Sequence, residues 1–160
     1  MRSFVIALAL SCALLSVAGA QSAPPAQQPA PNDAYAPDLG DLMSTTQLRH
    51  FKLWFAGNVK NWPLADYELT AIRKSFEAAA AMYPKLDSVS QKKLIEDVSY
   101  PALDEIAKAI KAKNTTAFSK SFEKLTEACN DCHKETRVPF IVIRTPTSSP
   151  FSNQSFAPAP

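Results

Sequence analysis

Glycine is nearly absent from this chain: Gly19, Gly40 and Gly57 are its only three in 160 residues. A phosphate-cradling loop needs grouped glycines so that backbone can approach the anion, and none are grouped here. Charge of one sign is not in excess either, with 17 Lys and Arg against 15 Asp and Glu and a net +2. That balance argues against a dedicated nucleic-acid binder, which would carry a basic excess or patch. No segment alternates convincingly as a strand, and no Ser-His-Asp set is present. The neighbouring carboxylates Glu96–Asp97 and Asp104–Glu105 leave a helix in different directions, so paired-carboxylate catalysis finds no support.

Cysteine is scarce as well, at three residues, and the first of them lies in an unusual N-terminus. "MRSFVIALALSCALLSVAGA" has Arg2, an apolar run, and small residues ending Ala18-Gly19-Ala20. This is the layout of a secretory signal spanning residues 1–20 and cut near Ala20, which predicts a periplasmic location. The apolar run falls short of the roughly 20 residues of a bilayer span, so no stable membrane anchor is expected. Lipidation at Cys12 is disfavoured by Ala9 three residues before it, where a leucine-like residue belongs. Cleavage leaves Cys129 and Cys132 alone in the mature chain. No disulfide framework can be built from that pair, and the fold must rest on a hydrophobic core.

Residues 21–38 hold five prolines and little to bury, and read as a Pro-rich linker. From Leu39 the spacing turns helical. Met43, Gln47, His50, Trp54 and Gly57 share one stripe, widened by Leu48, Phe51 and Phe55, with Asp41 or Ser44 as cap. Asn61-Trp62-Pro63 reads as a connection. A second stripe, Leu69, Ile72, Phe76, Ala79 and Tyr83, begins with Asp66 as a plausible cap and stops at Pro84. The third starts near Ser90 and either kinks at Pro101 or restarts with Ser99 as cap. The fourth follows a cap at Asn114, Thr115 or Thr116 and carries Phe118, Phe122, Leu125, Cys129 and Cys132 toward Pro139. Four amphipathic helices with short connections predict an all-α, antiparallel four-helix bundle over residues 39–137. Residues 138–160 form an extended C-terminal tail, apolar at Val138 to Ile143 and expected to pack over the bundle, with its last residues loose.

The fourth helix ends in Cys129-Asn130-Asp131-Cys132-His133. In C-x-x-C-H both thiols can add across the vinyl groups of a haem, and the adjacent imidazole can bind the iron. A dithiol redox pair usually needs a βαβ context, which an all-helical pattern denies. Zinc needs four N or S ligands, and beyond the motif only His50 supplies an imidazole. A short-range disulfide leaves His133 unexplained. One covalent haem c, with His133 on the iron, is the expected cofactor.

An N-terminal signal, four helices and C-x-x-C-H on the last of them resemble the cytochrome c prime and class II c-type cytochrome family, over residues 39–137. The family commonly has Arg or Lys four residues after the motif histidine, and Arg137 stands there. In the family an aromatic often precedes that basic residue, where this chain has Thr136, and members usually stop soon after the motif, whereas this chain continues to Pro160. The resemblance implies a first helix over the distal haem face, with methionine in electron carriers and an apolar residue in gas binders; it also implies a possible homodimer. Met43 falls where the family's methionine ligand tends to lie, and His50 is the alternative ligand two turns on. Without either, the iron is five-coordinate and open to NO or CO. Arg49, Lys52, Arg137 and Arg144 are candidates for the haem propionates, ordinary solvated charge being expected for at least two. Trp54, Trp62, Phe118 and Phe122 could line the haem pocket, though aromatic core is the default. The expected function is single-electron carriage between redox partner proteins, without enzymatic activity, a peroxidase having only Arg49 and His50 as a thin basis. The alternative is a gas-binding haemoprotein.

Overall fold

A computed structural model describes residues 36–159. The expected signal and almost all of the linker lie outside these residues. The described chain is helical: α1 (Leu39–Asn58), α2 (Trp62–Met82), α3 (Gln91–Leu94), a π-helical turn (Ile95–Ser99), α4 (Tyr100–Lys111) and α5 (Thr115–Glu135). Since α3, the π turn and α4 follow without a break, they make one bent rod, and four rods result. No strand occurs among the described residues, where pairing is limited to one isolated bridge between Leu86 and Val89. None of the described helices is long and apolar enough to cross a membrane.

Local chemistry sets the rod ends. Asp38 caps α1 through a reciprocal box, accepting from the Asp41 amide at 2.8 Å while Asp41 accepts from the Asp38 amide at 3.2 Å. Asp41 is therefore inside the first turn rather than the cap. Helix α2 starts at Trp62, before the Asp66 that the spacing suggested. Asn61 is its cap, and Pro63 sits in the first turn, where a missing N–H costs nothing. Ser90, near which the third helix was expected to start, caps α3, and Asn114, one of three candidates, caps α5.

Three rods end alike. Lys60, Lys113 and Arg137 adopt left-handed backbone with φ of 60°, 52° and 63°. Each donates its amide to the carbonyl of the penultimate helical residue, three positions back, and the next residue donates to the carbonyl five positions before it, as in Val138 N–H to His133 O at 2.8 Å. Glycine normally takes such positions. With almost none in the chain, basic residues fill them, and their charge suits the negative end of the helix dipole.

The rods α1, α2, α4 and α5 pack in a ring, with α1 against α2 and α5, and α4 against α2 and α5. Their shared core contains Leu53, Leu69, Ile72, Phe76, Leu103, Ile106, Phe118, Phe122 and Leu125, all nearly free of solvent. Each large apolar side chain buried this way contributes roughly 1.5–3 kcal/mol. Trp54, Phe118 and Phe122 cluster here, with the Trp54 and Phe122 rings 4.8 Å apart, and Trp62 meets Phe118 edge-on. Phe118 and Phe122 are core, and Trp54 and Trp62 are half-buried against it. Gly57 lets α1 approach them: a Cβ there would lie 2.1 Å from the Phe118 ring.

The π turn precedes Pro101, whose ring cannot serve the regular ladder. Of the two sequence options at this proline, the rod continues, because Ser99 makes no capping bond. After α5 the chain has no regular structure, yet its end is held. The Asn61 side-chain amide donates to the carbonyls of Phe156 and Ala157 at 3.0 and 3.1 Å, and the Phe151 and Phe156 rings pack against Phe51 and Phe55. The expectation of loose final residues is thereby corrected, since two aromatic side chains can bury against α1 and offset the ordering cost.

Candidate functional site

A cavity of about 550 Å³ opens between α1, the α3–π segment, α5 and the chain just beyond it. That is within the range of cofactor pockets. Helix α1 contributes Met43, Gln47 and His50, the first half of the stripe read from sequence. The bent rod contributes Gln91, Leu94, Ile95 and Ser99, and α5 contributes Cys129, Cys132 and His133. Val138, Ile141 and Ile143 complete the wall. The cavity therefore gathers the two cysteines, the motif histidine and both candidate distal residues around one space.

The motif residues are held individually. His133 Nδ1 lies 2.7 Å from the Ile141 carbonyl oxygen. A carbonyl only accepts, so this nitrogen carries the proton and the Nε2 lone pair is left for another partner. Cys129 and Cys132 are free thiols rather than a disulfide. Burial, aided by the neighbouring Cys132, pushes the Cys129 thiol up to about 12. Burial also raises the Cys132 thiol, against the Ser99 hydroxyl 3.8 Å from its sulfur. A dithiol redox pair depends on a lowered thiol pKa, and both shifts here run the other way. Among the described residues no group of three or more His, Cys, Asp or Glu is placed to hold a bare metal ion, which leaves zinc without its donor set.

His50 is buried, 3% exposed. Its Nε2 is 2.9 Å from the Thr126 hydroxyl, which itself donates to the Phe122 carbonyl at 3.0 Å. With the hydroxyl proton so engaged, His50 Nε2–H is the donor. The ring also packs on Phe122 with centroids 4.3 Å apart. Burial lowers its pKa to about 4, so the imidazole is neutral near pH 7. Met43 has no comparable tie.

The basic candidates do not converge on the cavity. Arg49 pairs with the buried Glu68 at 3.0 Å and lies over the Tyr67 ring. Lys52 sits over the Phe151 ring. Arg137 and Arg144 are exposed and stand outside the cavity wall.

Two residues with no role in the sequence reading emerge instead. Gln91 is 7% exposed, and its Oε1 has no hydrogen-bond partner although it lines the cavity. An orphaned buried amide of this kind costs about 1–3 kcal/mol unless something in the cavity satisfies it. Its only sequence signal was a four-residue spacing with Ile95 and Ser99. Asn130, between the two cysteines, brackets Ile143: it accepts from the Ile143 amide at 2.8 Å and donates to the Ile143 carbonyl at 2.9 Å. No family model matches this chain, and neither curated proteins nor solved structures yield a match.

Proposed function

We propose that this chain is an exported c-type cytochrome of the class II kind, carrying single electrons between redox partner proteins in the periplasm. In this reading one haem c occupies the cavity, bound through Cys129 and Cys132, with His133 as proximal and Met43 as distal ligand. The observation that carries it is the placement of Cys129, Cys132, His133 and Met43 around a single cavity of about 550 Å³, with His133 Nδ1 already engaged.

The residues fit the group chemically. Each thiol would add S–H across one vinyl double bond, sulfur to one carbon and hydrogen to the other, without an oxidant. His133 donates from Nδ1 to the Ile141 carbonyl, which leaves Nε2 to face the iron. Leu39, Leu94, Ile95 and Ile143 line the cavity with apolar surface, which favours the ferrous over the more charged ferric form. The unpartnered Gln91 Oε1 only accepts, so it suits a hydrogen-bond donor in the cavity and not a haem carboxylate, the group for which basic side chains were expected. Bound haem supplies the reversible one-electron change at iron. Between the two distal candidates, the Thr126 contact favours Met43, because ligation through His50 Nε2 would cost that buried hydrogen bond.

Expression with export and with haem-attachment machinery tests the proposal. The expected product carries one haem that survives denaturation, with low-spin ferric and ferrous spectra and a weak sulfur-to-iron band. Met43→Ala should turn the spectrum high-spin and open the iron to CO. A wild type that is already high-spin and fully CO-reactive would replace the electron-carrier reading with the gas-binding one. Absence of covalent haem would overturn both.

A further inference from the structure

We infer that the segment after α5 is a positioning strap for His133, and that Asn130 is the residue that fastens it. The inference about the iron rests on the haem reading, whereas the state of the imidazole stands independently of it. After Glu135 the helix closes through Thr136 and left-handed Arg137, and Val138 N–H returns to His133 O at 2.8 Å. The chain turns again where Ile141 N–H meets Val138 O at 3.0 Å. This reversal carries Ile141 and Ile143 back along the helix end they have just left.

Two side chains one turn apart on α5 then grip the returning backbone. Asn130 takes both polar groups of Ile143, as a neighbouring strand would, and His133 takes the Ile141 carbonyl at 2.7 Å. Residues 141 and 143 of an extended segment share a side, and both of their side chains line the cavity. Phe140 and Val142, the alternate residues, are exposed at 79% and 58%, against 45% for Ile141 and half-burial for Ile143. The strap is therefore registered, and a shift by one residue would take the carbonyl from His133 and turn the apolar side chains out.

A carbonyl on Nδ1 has two consequences. It selects the tautomer with Nε2 unprotonated, the opposite of the form a free imidazole favours in water. It also makes Nε2 a more basic ligand, as hydrogen-bonded histidines at metals are, which stabilises the ferric state and lowers the potential. Asn130 touches neither the imidazole nor the iron and acts only through Ile141 and Ile143.

Full-length protein prepared without haem and with ¹⁵N-labelled histidine should show the Nδ1–H pattern at His133. Asn130→Ala should move this signal toward the Nε2–H pattern, while Asp131→Ala, a change at the exposed neighbour, should not. In the haem-loaded protein, Asn130→Ala should shift the reduction potential upward with low-spin bands retained, and Asp131→Ala should leave it in place. An Nε2–H pattern in the wild type, or a lower melting temperature for Asn130→Ala with tautomer and potential unmoved, would overturn the inference. Where the haem-free chain gives no folded spectrum, the potential decides alone. Where no haem attaches, the proposed function fails and the tautomer decides the strap.

Discussion

His50 keeps a neutral ring where an exposed histidine would titrate, because it is buried and its pKa is lowered to about 4. In the unfolded chain the same ring takes a proton near 6.5. Above that pH both states are neutral and the group leaves stability unchanged. As pH falls from 6.5 toward 4, the unfolded state binds the proton first, so stability drops by roughly 3 kcal/mol across this window and no further below it. Urea unfolding of the haem-free protein should show this slope, and His50→Gln should flatten it relative to the wild type. The sequence placed His50 correctly on a stripe with Met43 but could not supply Thr126, 76 residues away, that fixes its Nε2. Gln91 was silent for a similar reason: an orphaned amide becomes visible only when everything around it is known to be apolar or engaged elsewhere.

At the scale of elements, helix ends explain most differences between reading and structure. Helical stripes were legible because buried faces repeat every three to four residues, and Leu69, Ile72, Phe76 and Ala79 are all core. Starts were less legible. Pro63 looked like a break, but the same residue is at home in a first turn. Nor does any residue-type rule announce a lysine in left-handed backbone. Lys113 is exposed and ends α4 at φ 52°, a conformation costing a non-glycine residue roughly 1–2 kcal/mol. Glycine relieves that strain but gives back part of it through a freer unfolded chain. Lys113→Gly should therefore stabilise the fold by about 0.5 kcal/mol, read as a raised denaturation midpoint.

Across the whole molecule, the four-rod plan was readable from periodicity and short connections, while of residues 138–159 only the packing of Val138 to Ile143 against the bundle was. Their contacts are long-range and use irregular backbone, for which no period exists. Phe156 is partly buried against Phe55, and Asn61 holds its carbonyl, so this one residue ties the chain end to the first interhelical turn. Phe156→Ala should cost about 1–2 kcal/mol and speed amide exchange or proteolysis beyond Arg144 more than in α1–α5. Uniform loosening of helices and terminal segment alike would show that the segment is no separate unit.

The wall formed by Val138, Ile141 and Ile143 also imposes an order in time. These residues are made after the cysteines they cover, and a wall already in place would obstruct loading from that side. If the cavity takes a haem as proposed, attachment before this segment docks would leave that side open, and docking afterwards would close it. Maturation would thus run in a fixed sequence, motif first and closure second, with residues 138–159 acting as the last step of assembly.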